Sequence, residues 1–135
     1  MTRDSLETDR TILYGLTQEG FTDGPRFDAS IFSEERINAI REIIRHFLYP
    51  SKQINILQSP QSYPLKHILE DYAATMRDSV LGNYVSNGEC IYAMFCEGYS
   101  IKRINKGLNA RFNVSGKSVS ALKKQILEFK ALKNK

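Results

Sequence analysis

The sequence predicts an α+β fold: a helix-rich single domain in winged-helix-like order (helix, short strand, helix, helix, β-hairpin) plus a C-terminal helix. Three observations carry this. Residues 33–48 repeat apolar side chains at helical period, residues 84–99 write a short helix with both ends specified, and residues 108–115 alternate strictly. At 135 residues, the chain is one domain with a core that requires neither disulfides nor metal.

Residues 1–32 show no sustained period and are punctuated by Gly15, Gly20, Gly24 and Pro25. They read as an irregular N-terminal arm with at most one short strand, leaving 33–135 as the α+β domain. Ser33 caps the first helix, with Glu34 and Glu35 in its first turn and Arg45 and His46 in its last. Ile37, Ile40, Ile43, Ile44, Phe47 and Leu48 share one face, and Pro50 ends it. Residues 52–59, with Ile54, Ile56 and Leu57, read as a short strand of the kind that pairs with the wing. The second helix is expected to open near Pro64, with Leu65, Ile68, Leu69, Tyr72 and Met76 as its stripe and a break at Gly82-Asn83.

Ser86 and Glu89 then have capping-box spacing, Val85 and Cys90 that of a hydrophobic staple, and Gly98 supplies the left-handed residue that closes the third helix. Between those ends lie Cys90, Ile91, Ala93, Met94 and Phe95, so this helix is buried. After it, 99–104 reads as a strand, Asn105-Lys106-Gly107 as a tight turn, and Leu108, Ala110, Phe112 and Val114 as the inward phase of a second strand. Val119, Leu122, Ile126, Phe129 and Leu132 mark the last helix.

Charge is divided unevenly. Residues 1–100 hold 9 Lys+Arg against 14 Asp+Glu, whereas 101–135 hold 10 against Glu128 alone. A basic C-terminal third points to a phosphate-contacting surface, here formed by Lys102, Arg103, Lys106, Arg111, Lys117, Lys123 and Lys124, with Tyr99 as a stacking ring. The third helix offers apolar side chains where a base-reading helix needs Arg, Lys, Asn or Gln. Only its opening residues Ser86, Asn87 and Glu89 reach outward, suiting at most a phosphate.

Catalytic chemistry is thin. His67 with Glu70 or Asp71 at helical spacing is the one acid–base constellation, and a surface pair of this kind carries no motif. Cys90 and Cys96, six apart on one helix, sit about 120° from each other and form neither a disulfide nor a metal clip. No phosphate loop, zinc pattern or nucleophile elbow occurs. The expectation is a non-enzyme with no cofactor or metal. No apolar run approaches the roughly 20 residues that span a bilayer, and the N-terminus lacks the apolar core of a signal peptide, so the expected compartment is cytoplasmic.

Three segments together carry a resemblance: Ser62-Tyr63-Pro64-Leu65-Lys66-His67 with Glu70, Tyr84-Val85-Ser86-Asn87-Gly88 with Ile91 and Ala93, and Asn109-Ala110-Arg111-Phe112-Asn113-Val114-Ser115. They are similar to segments of short, functionally uncharacterised proteins encoded by bacteriophages, plasmids and integrated elements of bacteria, in which Gly often stands at Pro64. The resemblance spans residues 60–115 and brings no catalytic or ligand residues with it. It implies a mobile-element context with two expectations for a small non-enzyme. The first is a nucleic-acid-associated accessory protein. The alternative is a protein-binding inhibitor of a host defence complex such as a CRISPR effector.

Overall fold

In the computed structural model, which describes residues 12–55 and 58–133, the protein is α+β with four helices and two small antiparallel hairpins. In chain order the elements are β1 (Leu16–Thr17), β2 (Gly20–Phe21), a 3-10 turn (Ala29–Ile31), α1 (Glu34–Phe47), α2 (Ser62–Thr75), α3 (Asn87–Cys96), β3 (Ile101–Arg103), β4 (Ala110–Phe112) and α4 (Gly116–Lys133). Helix α3 is the centre. Cys90, Ile91, Ala93 and Met94 are inaccessible to solvent, and α1, α2 and β2 all pack on it. The expected capping box forms: Ser86 Oγ accepts from Glu89 N at 3.0 Å, and Ser86 N donates to Glu89 Oε1 at 2.9 Å.

Glu89 does more than cap. Arg36, in the first turn of α1, donates Nε and Nη2 to its two carboxylate oxygens at 2.7 and 3.1 Å, and also donates to the carbonyls of Tyr84 and Val80. One guanidinium thus ties α1 to the α2–α3 connection and to the start of α3. Burial opposes ionisation of Glu89, but the Arg36 and Ser86 hydrogen bonds and the Arg36 charge outweigh it and hold the carboxyl below its ordinary range. At the other end of α3, Glu97 accepts from Arg41 at 2.6 Å and Arg45 at 3.0 Å, and the same balance lowers its pKa.

The segment expected as an irregular arm enters the core over its described part, 12–32. Leu13, Leu16, Phe21 and Phe32 are buried, and Phe32 stacks on Tyr92 of α3. The turn joining β1 to β2 sits on the N-terminus of α3, where Gly88 N donates to Gln18 O at 2.9 Å. A Cβ on Gly88 would stand 1.9 Å from Thr17 O, so only glycine admits this approach. Two-residue strands leave too few alternating positions for a periodic signal, which is why the sequence reads as irregular.

The short strand expected over 52–59 is not formed by its described residues, and Ile56 and Leu57 lie outside them. Pairing falls instead on the flanks of that stretch, as the single bridges Gln61↔Arg111 to β4 and Pro50↔Val114 just beyond it. Pro50 and Pro60 have no N–H to extend a ladder, so carbonyls take over: Pro60 O accepts from Phe112 N at 3.2 Å. Helix α2 starts two residues before Pro64, which then occupies another first-turn position with no intrahelical donor role. It ends at Thr75, so Met76 is exposed rather than part of the stripe.

In the second hairpin, the register Ile101↔Phe112, Lys102↔Arg111 and Arg103↔Ala110 turns Ala110 and Phe112 to the core. Leu108, expected inward, lies in the turn before β4 and is 47% exposed. Leu132 is likewise exposed, because the buried stripe of α4 stops at Ile126.

Two measurements check this architecture. Gly88→Ala, favourable by helix propensity by about 1 kcal/mol, is expected to destabilise the protein in denaturant unfolding because of the Thr17 contact. Both Glu89 and Glu97 have lowered folded-state values. Their contribution to stability is therefore complete above the ordinary glutamate value of 4.5 and is lost as pH falls through the lower folded values. Arg36→Ala should flatten that acid dependence and lower stability by about 3 kcal/mol.

Candidate nucleic-acid interface

The hairpin and α4 carry the seven cations expected from sequence to form one surface, and the structure divides them. Arg103 folds back on its own turn, donating Nε to Gly107 O and Nη2 to Lys106 O, both at 2.7 Å, while its guanidinium lies over Phe21. Arg111 donates to Ser59 O at 2.5 Å and locks the α1–α2 connection against β4. These two are structural bonds within the protein. Lys102, Lys106, Lys117, Lys123 and Lys124 are exposed and have no ion-pair partner among the described residues. Along the hairpin, Lys106 stands at the tip, Lys102 in the middle of β3, and Lys117 just beyond the base, where Ser100 N donates to Asn113 Oδ1.

Tyr99 is a correction. It is only 8% exposed, and burial pushes its phenol up to about 12, so it belongs to the core and offers no stacking face. The N-terminus of α3 is a second correction. Gln18 occupies it from both sides, its carbonyl accepting from Gly88 N and its Oε1 from Ser86 Oγ at 3.1 Å. Asn87 is fixed by Nδ2 contacts to Glu19 O, Leu108 O and Asn109 Oδ1. A phosphate has no approach to the open end of this helix, because the tips of both hairpins meet there.

The acid–base constellation is present but tied down. His67 Nδ1 lies 2.8 Å from Glu70 Oε1, while Glu70 Oε2 receives Lys66 Nζ at 3.2 Å and Val85 N at 3.0 Å. Asp71 takes no part and pairs with Lys130 at 2.7 Å, tying α2 to α4. Cys90 is fully buried with its thiol pushed strongly up by desolvation, the opposite of an activated nucleophile. Among the described residues no His, Cys, Asp or Glu cluster suits a metal ion, and no helix is long and apolar enough to cross a membrane.

A feature the sequence did not reveal lies beside the hairpin tip. Lys66 is 8% exposed, and its ammonium sits 5.5 Å from the ring centre of Tyr63 and 5.2 Å from that of Tyr84, both rings being half exposed. With Gln18, Glu19, Asn87, Leu108 and Asn109 they line a cavity of about 410 Å³. Tyr63 and Lys66 are three apart on α2, a spacing visible in the sequence, but Tyr84 and the hairpin residues reach the site only through the tertiary fold. A wider groove of about 720 Å³ lies between α1 and α2, and none of its lining residues comes from the hairpin or α4.

No protein-family model, curated protein or solved structure matches the chain.

Arg111→Ala is expected to lower stability by about 1 kcal/mol, because Ser59 O loses its charged donor. Lys102→Ala, its cross-strand neighbour with no ion pair to lose, should leave thermal unfolding unchanged within about 0.5 kcal/mol.

Proposed function

We propose that this protein is a non-catalytic, nucleic-acid-associated accessory protein that contacts phosphates through Lys102, Lys106, Lys117, Lys123 and Lys124. The observation that carries the reading is the internal sorting of charge. Glu70, Glu89 and Glu97 are engaged by Lys66, Arg36, Arg41 and Arg45, and Asp71 by Lys130, whereas five of the seven described lysines of the hairpin and α4 remain exposed with no ion pair among the described residues. Glu128 is the one carboxylate carried by α4. A surface sorted in this way attracts a polyanion at long range and releases counterions on contact. Base reading through α3 has no place in this reading, because its N-terminus is covered by Gln18 and its body is core. The mobile-element context implied by the resemblance over residues 60–115 accords with such a role.

Binding to labelled duplex and single-stranded DNA, followed by fluorescence anisotropy over a salt series, tests it. Affinity should fall steeply with salt, by about 0.7–0.9 log units per log unit of salt for each phosphate neutralised. Reversal of Lys102 and Lys117 to Glu should weaken binding alike for all sequences and reduce the slope. Absence of binding at low salt would remove the proposal.

A further inference from the structure

We propose that the cavity between Tyr63, Lys66 and Tyr84 takes an unpaired nucleobase, so that the protein grips single strands or strand ends more tightly than continuous duplex. The inference rests on the nucleic-acid reading above and names the form of ligand that reading leaves open.

The first ground is the pair of rings. Tyr63 is 51% and Tyr84 55% exposed, and both lie within 5.5 Å of the ammonium of Lys66. That lysine is buried and anchored by Glu70, so its ammonium holds both rings in place by cation–π contact and preorganises them for stacking. Two tyrosines around a cation resemble the cage that captures quaternary ammonium ligands, but here the protein's own lysine fills the cation position. A cationic guest is repelled, whereas a planar ring with polar edges next to phosphate is favoured.

The second ground is the rim. Asn87 and Asn109 line the cavity and are bonded to each other, Asn87 Nδ2 donating to Asn109 Oδ1 at 2.9 Å, which gives the wall the polar character that the hydrogen-bonding edge of a base meets. Asn87 is 6% exposed, and its Oδ1 has no hydrogen-bond partner among the described residues, although its Nδ2 is surrounded by three acceptors. A buried acceptor left without a donor beside a cavity marks a place where a ligand donor, or water, completes the hydrogen bonding.

The third ground is continuity. Leu108 and Asn109 line the cavity and belong to the same turn that presents Lys106, so a base seated between the tyrosines leaves its phosphates beside the exposed lysines of the hairpin. A volume of about 410 Å³ lies within the range of small-ligand sites. A base inside a continuous duplex has both faces stacked and no free ring to offer, which gives the preference for single strands.

The test compares a labelled oligothymidylate with a duplex of equal length, using the intact protein and its Tyr63→Ala, Tyr84→Ala, Tyr63→Phe and Tyr84→Phe variants, each checked for an unchanged melting temperature. Each alanine variant should lose about 10-fold in single-strand affinity while duplex affinity holds, and each phenylalanine variant should retain the wild-type value, since the ring face is what stacks. Unchanged single-strand affinity in both alanine variants, or an equal loss on duplex, overturns the pocket. If duplex and single strand both respond to reversal of Lys102 and Lys117 while the tyrosine variants bind as wild type, the pocket falls and the phosphate surface stands. Tyrosine-dependent single-strand binding that ignores the lysines leaves the pocket standing and removes the phosphate surface. No binding to either nucleic acid at low salt removes both.

Discussion

The Glu89 carboxylate accepts from three donors at once, and the arrangement of the helices follows from its doing so. Its carboxylate closes the capping box on Ser86 and receives the two-pronged guanidinium of Arg36. Arg36 in turn holds the carbonyls of Tyr84 and Val80. A carboxylate this buried is tolerable only when its oxygens are matched by donors, because an unpaired charge in the interior costs several kcal/mol. Satisfying it fixes the start of α3, the rotation of α1 and the path of the chain between α2 and α3 together. The apolar packing of Ile40, Ile44, Ile91 and Met94 supplies the larger share of the stability but tolerates small slides, whereas the hydrogen-bond fork does not.

A second constraint acts on the same helix end from outside. The β1–β2 turn and the β3–β4 turn converge on Asn87 and Gly88, with Phe21 N donating to Leu108 O between them. That convergence explains two otherwise separate facts: why the helix N-terminus is closed to anions, and why a cavity forms beside it. The tips of the hairpins wall one side of the cavity, and Tyr63 and Lys66 on α2 wall the other. The cavity and the structural core therefore share residues, and the elements that cover α3 are those that shape the cavity.

Charge follows an equally clear division. Arginines form most of the charged bonds within the fold, Arg36, Arg41 and Arg45 on α1, Arg103 in the hairpin and Arg111 against Ser59, beside the lysine pairs Lys66–Glu70 and Lys130–Asp71. A planar fork with several donors can satisfy carbonyls and carboxylates simultaneously and remain charged when half buried. Lysines dominate the exposed face of the hairpin and α4, where a flexible stem keeps a compact, strongly hydrated charge in solvent.

Sequence alone determined the local features with short-range causes. Helices α1 and α3 with their caps, the burial of α3, the inward phase of Ala110 and Phe112, and the polarised charge all follow from periods and pairings within a few residues. What the tertiary structure decided has causes far apart in the chain. Residues 12–32 joined the core because Phe32 meets Tyr92 and Gln18 meets Gly88, contacts that no local period announces. Arg103 and Arg111 left the candidate surface because carbonyls at Gly107 and Ser59 stood within reach, and Tyr99 left it by burial. The tyrosine-lined cavity draws on α2, the α2–α3 connection and both hairpins, so no stretch of sequence could have shown it. Position along the chain sets which side chains are available, and only packing sets which of them stay free to act.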